Sequence, residues 1–300
     1  MAGTLEKGIY IQVYRDKIPG KTHADKMKNV GLEMDKWKAL GVKGVAWHGF
    51  VGDMDRTKFA ELTQLCVARG LLSLGAFGLG STRPVDYGNW IGDIANAPGC
   101  YAVVFDMEGA WEDEVADKAK CTLMGKTFRA KAPNALVIDQ PWPVPTLHNS
   151  FPWEESAAWV DVRAPQVYSN NFSSSHGRES YSYFWNWHLK EWPKLEARLA
   201  PKGLVKPKIP TVEGYSWFFS NSLRCVLEHD TLIVWSEPFP EQEFLFAMEV
   251  ANKLASLGFH GARAVWDFQT SMNGLLEIDG ICGAKTIKEL GLVAPSSLRW

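Results

Sequence analysis

The feature that most constrains the fold is an alternation of apolar, strand-like runs with helical patterns along most of the chain. Eight such runs can be traced, at residues 8–14, 44–50, 71–77, 101–109, 135–140, 162–168, 208–214 and 231–237. Amphipathic helical segments lie between most of them. Repeated strand–helix units build a parallel sheet, and eight of them are enough to close it. The sequence therefore predicts an α/β fold of the (β/α)8 TIM-barrel type.

A doubly wound open sheet is the alternative arrangement of the same units. That fold usually has fewer strands and carries a glycine-rich phosphate loop after the first one. Here the first run is followed by Arg-Asp-Lys-Ile-Pro-Gly at residues 15–20, which is not such a loop. The barrel is favoured, and it predicts that site residues gather at the carboxyl ends of the strands.

Two carboxylates stand at the end of the fourth run. Side chains alternate along a strand, so Ala102, Val104, Asp106 and Glu108 share one face. At about 3.3 Å per residue, the β-carbons of the two acids lie roughly 6–7 Å apart, within reach of one substrate. Two carboxyl groups so close cannot both ionise freely, and one pKa should rise. Such a pair can alternatively bind a cation or a helix N-terminus.

Further polar residues fall at the predicted strand ends. Glu213 is the rival second carboxylate, and Asp139 and Glu237 follow it. A structural salt bridge is the alternative role for Glu213 and for Asp139. Gln166 and Tyr168 precede a loop rich in Asn and Ser, which favours a place in the lining of the site.

Tryptophan is abundant, with 14 residues in the chain. Flat indole faces pack in protein cores, and they also stack on the C–H faces of sugar rings. Four of these residues are candidate platforms for a substrate: Trp47, Trp142, Trp217 and Trp235. His48, next to Trp47, is interpreted as a hydrogen-bonded core residue rather than a catalyst.

The last part of the chain carries a different pattern. It contains Leu-Gly-Phe at 257–259, Phe-Gln at 268–269 and Asp-Gly-x-x-Gly-x-x-Thr at 279–286. These segments resemble the small three-helix peptidoglycan-binding module found on many cell-wall hydrolases. The resemblance implies a catalytic domain over 1–240 and a wall-binding domain over 241–300.

The resemblance also decides how many strands the barrel has. Residues 262–267 could form a ninth strand, but the module makes them its second helix and leaves eight. The tail departs from the module in a short link at 260–261, an extra residue near 275–277, and Ala284 where proline is common. Residues 243–292 could alternatively supply closing helices of the barrel without any affinity for the wall.

The carboxylate pair carries a second resemblance. Its Asp-Met-Glu is similar to the fourth-strand D-x-E motif of barrel lysozymes and, more loosely, of chitinase-like hydrolases. The resemblance implies that Glu108 is the general acid of a glycoside hydrolase and that Asp106 assists it. In the chitinase-like enzymes a sixth-strand tyrosine helps an aspartate to hold the N-acetyl group of the substrate. Tyr168 would occupy that place.

Two departures leave the choice between these families open. The chitinase-like motif has further acids upstream, where this chain has Ala102 and Val104. Barrel lysozymes carry an aspartate on the first strand, where Gln12 and Tyr14 stand here.

Composition and charge limit the possible partners and the cellular compartment of the protein. A net charge of −2 gives no reason to expect a nucleic-acid or membrane-surface partner, and no apolar run reaches the ~18 residues of a membrane span. The five cysteines are scattered without a C-x-x-C pair, which favours synthesis in a reducing compartment. We expect no cofactor, no metal, no membrane insertion, and a monomer.

The expected function is cleavage of the glycan strand of bacterial peptidoglycan. No secretory signal is recognisable, which is typical of a phage endolysin that waits in the host cytoplasm until it is released to the wall. A zinc amidase is an alternative, but the seven histidines show no H-x-x-x-H spacing. A Cys–His peptidase is disfavoured because Cys66 and Cys121 fall within predicted helices. A non-catalytic wall-binding protein is the alternative from another class.

Overall fold

The computed structural model describes residues 4–50, 56–112, 115–167, 181–213, 219–236 and 239–298. Eight parallel strands form one sheet in the order β6-β5-β4-β3-β2-β1-β8-β7. The strands are β1 Gly8–Tyr14, β2 Gly44–Phe50, β3 Leu72–Leu79, β4 Cys100–Met107, β5 Leu136–Gln140, β6 Val162–Arg163, β7 Thr211–Glu213 and β8 Thr231–Ser236. Each predicted run overlaps one of them.

The sheet closes on itself between β6 and β7. Two isolated parallel bridges, Arg163 with Lys208 and Gln166 with Thr211, join these two ends of the strand order. Strand β6 is shorter than the predicted run 162–168 because Pro165 lacks an N–H group and cannot continue the ladder as a donor. Its carbonyl still accepts from the backbone N–H of Thr211 at 2.9 Å. The predicted (β/α)8 barrel is confirmed.

Helices cover the outside of the barrel and continue into the tail. They are α1 His23–Ala39, α2 Arg56–Val67, α3 Pro84–Ala95, α4 Val115–Lys131, α5 Trp153–Ala157, α6 Tyr181–Leu199, α7 Phe219–Glu228, α8 Gln242–Ser256, α9 Ala264–Ser271 and α10 Ala284–Glu289. Helix α7, between the seventh and eighth strands, was not anticipated from the sequence. Its buried residues Phe219 and Leu223 pack in the core of the tail.

Two layers of side chains form the barrel core. The inner layer is built from small or aliphatic residues such as Ala46, Ala102 and Ile138, together with Tyr10. The outer layer lies between the strands and the helices and contains most of the large aromatic residues. Since both faces of every strand are covered, both faces are apolar, as in other parallel sheets. Only the carboxyl ends of the inward faces carry polar groups, and these build the site.

Helix α8 belongs to the barrel and to the tail at once. Its residues Phe244 and Met248 join the outer core of the barrel, whereas Phe246 and Val250 join the core of the tail. The side chain of Asn252 also donates to the carbonyl of Leu40 at 2.8 Å, next to α1. The domain boundary near residue 240 stays a prediction, and no break in packing falls there among the described residues.

The tail is helical, as its resemblance implies, and α9 takes the place of the possible ninth strand. The buried side chain of Gln269 organises the loop before α10. Its Nε2 donates to Asp279 Oδ1 at 2.9 Å and to Thr286 Oγ1 at 3.2 Å, and its Oε1 accepts from the N–H of Gly280 at 2.9 Å. Gly280 has φ +73°, a conformation that glycine adopts without strain. The spacing of the Asp-Gly-x-x-Gly-x-x-Thr segment therefore has a structural role in shaping this loop.

Among the described helices, none combines the length and apolar character needed to cross a membrane.

Candidate active site

A cavity of about 460 Å³ opens at the carboxyl ends of the strands. Its lining is Tyr14, His48, Gly78, Leu79, Gly80, Asp106, Glu108, Gly109, Ala110, Gln166 and Trp235. These residues come from β1, β2, β3, β4 and β8 and from the segments that follow β3, β4 and β6. The cavity is therefore placed where the barrel architecture puts its active sites.

The two acids reach this cavity because β4 stays extended through its last residue and beyond it. Glu108 has φ −124° and ψ −150°, so it continues the alternation and shares the inward face with Asp106, as predicted. The chain then turns in a short 3-10 segment, Gly109–Trp111, closed by a bond from the N–H of Trp111 to the carbonyl of Glu108 at 2.8 Å. The buried indole of Trp111 anchors this turn by donating to the carbonyl of Leu79 at 2.8 Å.

Donors from β2 and from the segment after β6 hold the carboxylate of Asp106. Gln166 Nε2 donates to its Oδ1 at 2.6 Å, and His48 Nε2 lies 3.3 Å from its Oδ2. Because a carboxylate only accepts, this contact requires the His48 proton to sit on Nε2. The ring of His48 is buried and hydrogen-bonded, in agreement with its interpretation as a hydrogen-bonded core residue, and its partner is a carboxylate of the site.

A buried network of amides fixes Gln166 from below. Its Nε2 also donates to the carbonyl of Gln140 at 2.8 Å. The Gln140 side chain donates in turn to Gln12 Oε1 at 2.7 Å and to Thr211 Oγ1 at 3.0 Å. Sequence reasoning missed Gln12, Gln140 and Thr211 as site supports. The signal that could have identified them is a polar residue within or next to an otherwise apolar strand.

Glu108 has a strongly altered acidity. Burial raises its pKa from 4.5 to about 7, and the neighbouring charge of Asp106 adds to this increase. A hydrogen bond from Gln166 acts in the opposite direction, and the more distant Glu112 makes the smallest contribution. Near neutral pH, Glu108 thus holds a proton for a large part of the time. A carboxyl group kept protonated by burial next to a second carboxyl group is a usual arrangement for a general acid and its partner.

Replacing Asp106 by asparagine is expected to lower the pKa of Glu108 from about 7, because the like charge beside it disappears. Burial of Glu108 persists, so its pKa should stay above 4.5. The measurement is a carbon-13 NMR titration of the Glu108 carboxyl carbon. Glu112→Gln is the matched control and should produce a smaller decrease. An unchanged or higher pKa in the Asp106→Asn variant would contradict this account.

Of the other predicted site residues, Gln166 and Trp235 line the cavity together with Asp106 and Glu108. Trp47 and Asp139 do not, because strand alternation points them outward towards the helices. Trp47 is fully buried and its indole donates to Ser73 Oγ at 3.2 Å. Asp139 is also fully buried, with its Oδ2 3.3 Å from Nη1 of Arg163. Both side chains therefore lie away from this cavity, and their predicted role in binding substrate has no support from their position.

The remaining predicted residues are placed differently or lie outside the described chain. Trp142 is stacked on the ring of His148 at 4.8 Å, and His148 pairs with Glu112 at 2.8 Å, so one indole face is occupied. Four predicted site side chains lie outside the described part of the structure: Tyr168, Glu213, Trp217 and Glu237. Their site roles stay predictions.

In the described part of the site, the groups suited to chemistry are two carboxyl groups that can exchange a proton with a bound ligand. No group of three or more His, Cys, Asp or Glu side chains in the described ranges is arranged to hold a metal ion. The carboxyl group of Glu108 faces an open cavity beside that of Asp106, with the aromatic residues Tyr14 and Trp235 in the wall. Aromatic walls with a few directed polar groups are typical of sites for small or extended ligands.

Comparison with known proteins supports the fold. No protein-family model and no curated protein matches the sequence. Among solved structures, the glycoside hydrolase domain of PgaB (BpsB) from Bordetella bronchiseptica matches with a TM-score of 0.50 and 11% identity, over 82% of this chain and 98% of that chain. A beta-glucuronidase from an uncultured Clostridium sp. matches with a TM-score of 0.55 and 11% identity, over 81% of this chain and 49% of that one. The chain has the barrel fold of these glycoside hydrolases, and at such identities the similarity concerns the fold alone.

Proposed function

We propose that this protein is a glycoside hydrolase that cleaves the glycan strand of bacterial peptidoglycan, as a muramidase or a glucosaminidase. One observation carries the proposal: in the cavity of the barrel, a carboxyl group with a pKa of about 7 lies beside a carboxylate held by two donors. Glycoside hydrolysis needs a carboxylic acid that protonates the leaving oxygen and a second carboxylate nearby.

In the proposed reaction Glu108 is the acid. It transfers its proton to the glycosidic oxygen as the bond between that oxygen and the anomeric carbon breaks. Asp106 stabilises the positive charge that develops on the sugar, or orients a substituent of the sugar. Glu108, now ionised, removes a proton from the incoming water, and the water oxygen bonds to the anomeric carbon. Trp235 is the proposed stacking platform for the sugar.

Peptidoglycan is proposed as the substrate because of the tail. Its Asp-Gly-x-x-Gly-x-x-Thr segment resembles the wall-binding module, and Gln269 shapes that segment through hydrogen bonds to Asp279, Gly280 and Thr286. A wall-binding tail would hold the barrel close to its polymer. The associated biological role is lysis of a host cell by a phage enzyme, which acts as a monomer and stays in the cytoplasm until it reaches the wall.

The deciding experiment is product analysis of purified peptidoglycan digested by the wild type, with the Glu108→Gln variant as matched control. We expect new reducing ends from the wild type and none from the variant, and the sugar at the new end identifies the bond. New free amino groups without reducing ends would indicate an amidase or peptidase and exclude the proposal. Retained binding to the wall without any product would indicate a non-catalytic wall-binding protein.

A further inference from the structure

A second groove lies beside the catalytic cavity on the same face of the barrel. Its volume is about 330 Å³, and its walls come from the segment after β1, the start of α1 and the first turns of α2. The lining residues are Arg15, Asp16, Lys21, Thr22, His23, Lys26, Met27, Lys58, Glu61 and Leu62. Helices begin at the carboxyl-end face of a barrel, where active sites also lie. Tyr14 lines the catalytic cavity and Arg15, the next residue, lines this groove.

The groove is rich in basic side chains, although the chain as a whole carries a net charge of −2. Four of its lining residues are Lys or Arg, and only two are acids. Both acids already have partners within the groove. Asp16 accepts from Arg15 at 2.6 Å, and Glu61 pairs with His23 at 2.8 Å.

Lys21 and Lys26 are the cations that remain for a ligand. Among the residues that the structure describes, no carboxylate lies within 4.0 Å of either ammonium group. Lys21 is exposed and Lys26 is half-buried. Their positive charge therefore faces the groove without an ion pair from the neighbouring described elements.

We propose that this groove binds an anionic group of the polysaccharide whose chain is cleaved in the catalytic cavity, with Lys21 and Lys26 as the binding residues. The inference rests on the proposed function and makes it more specific, because it names an acidic glycan as the substrate class. A carboxylate of the glycan or of its attached peptide fits this chemistry, and so does a phosphate of a wall polymer. Clustered ammonium groups concentrate anions and give binding that weakens as salt increases.

The test measures binding to insoluble polymers, which does not require cleavage. The full chain carrying Glu108→Gln is used, with and without Lys21→Gln and Lys26→Gln together. The probes are purified peptidoglycan, the same peptidoglycan freed of teichoic acid, and neutral chitin. A control variant carries Lys28→Gln and Lys38→Gln, which remove two charges from α1 outside the groove.

We expect the Lys21/Lys26 variant to bind peptidoglycan roughly 5- to 30-fold more weakly, as two partly exposed charge contacts would give. Binding to chitin should stay the same, and the salt dependence of binding to peptidoglycan should decrease. If the Lys21/Lys26 variant still binds more weakly after teichoic acid is removed, the bound group is a carboxylate of the glycan or its peptide. If the difference in binding disappears, the bound group is a phosphate of the wall polymer.

Three results would overturn the inference: unchanged binding to peptidoglycan, an equal loss on chitin, or an equal loss in the Lys28/Lys38 control. Circular dichroism of each variant verifies that the fold is kept. The result is independent of the proposed reaction, because the failure of that proposal would show separately as an absence of new reducing ends in the wild-type digest.

Discussion

Replacing Glu108 by glutamine is expected to reduce the rate of glycan cleavage by about 10²–10⁴-fold, the usual contribution of a general acid. Glutamine has nearly the same shape, so it can fill the same space, but it has no proton to transfer. The measurement is the rate of reducing-end formation by equal amounts of the wild type and the variant. Glu112→Gln is the matched control and should retain most of the activity, because Glu112 pairs with His148 outside the cavity lining.

The pH dependence of the wild type checks the same assignment. Glu108 must be protonated to act as an acid, so kcat/KM should fall as pH rises through about 7, the pKa of this group. An activity that rises through this range would contradict the acid role and favour Glu108 as a base. Full activity in the Glu108→Gln variant would exclude any role in proton transfer.

The Glu108→Gln substitution should also change how the stability of the folded protein depends on pH. The pKa of Glu108 is raised from 4.5 to about 7 in the folded protein, so the unfolded chain releases its proton first as pH rises. Between these values the wild type loses stability with increasing pH. The Glu108→Gln variant lacks this loss, and its unfolding temperature should exceed that of the wild type more at pH 8 than at pH 4.

Replacing Arg163 by methionine is expected to lower the free energy of unfolding by about 3–5 kcal/mol at pH 7, as is usual when one partner of a buried ion pair is removed. Arg163 and Asp139 are both nearly inaccessible to water, with relative exposures of 2% and 0%. The guanidinium also donates to the carbonyl of Trp153 at 2.7 Å and to Ser156 Oγ at 3.0 Å. The substitution leaves a buried carboxylate without its cation and breaks these two hydrogen bonds.

The destabilisation should depend on pH because of Asp139. Burial already raises its pKa from 3.8 to about 6, against the opposing effect of Arg163, and loss of the guanidinium raises it further. The folded variant then keeps a proton that the unfolded chain releases, so its stability falls as pH rises through this range. Urea unfolding at pH 5 and pH 8 measures the difference, and the variant should be closer to the wild type at pH 5.

Two further variants test whether buried charge is the cause. Asp139→Leu combined with Arg163→Met removes both charges and should recover part of the lost stability. Lys7→Met breaks a shorter ion pair, 2.7 Å from Lys7 to Asp230, whose two side chains are 79% and 78% exposed. It should leave the free energy of unfolding nearly unchanged. If Arg163→Met were equally harmless, the pair would have no stabilising role in the folded state.

The sequence was sufficient to predict the barrel and the central pair of acids. The repeat of strands and helices restricts the chain to few topologies, and alternation along β4 places Asp106 and Glu108 on one face. It could not show which face of each strand points inward, because both faces of a buried parallel strand are apolar. Asp139 and Trp47 stand close to strand ends, but on the outward faces.

The residues that hold the site through hydrogen bonds could be identified only from the closed barrel. Gln12, Gln140 and Thr211 lie far apart in the sequence and come together only because β1, β5 and β7 surround the same interior. His48 is an inconspicuous histidine on its own strand, and only the tertiary fold brings it within 3.3 Å of Asp106.

The sequence by itself thus determined the architecture and the shared face of the carboxylate pair, because local periodicity controls these features. The helical character of the tail followed from its resemblance to a known module. The tertiary structure decided which carboxyl group keeps its proton. It also decided that Asp139 pairs with Arg163 outside the cavity, and that α8 serves both the barrel and the tail. Burial and contacts between distant segments determine these properties, and neither is encoded in the pattern of any single segment.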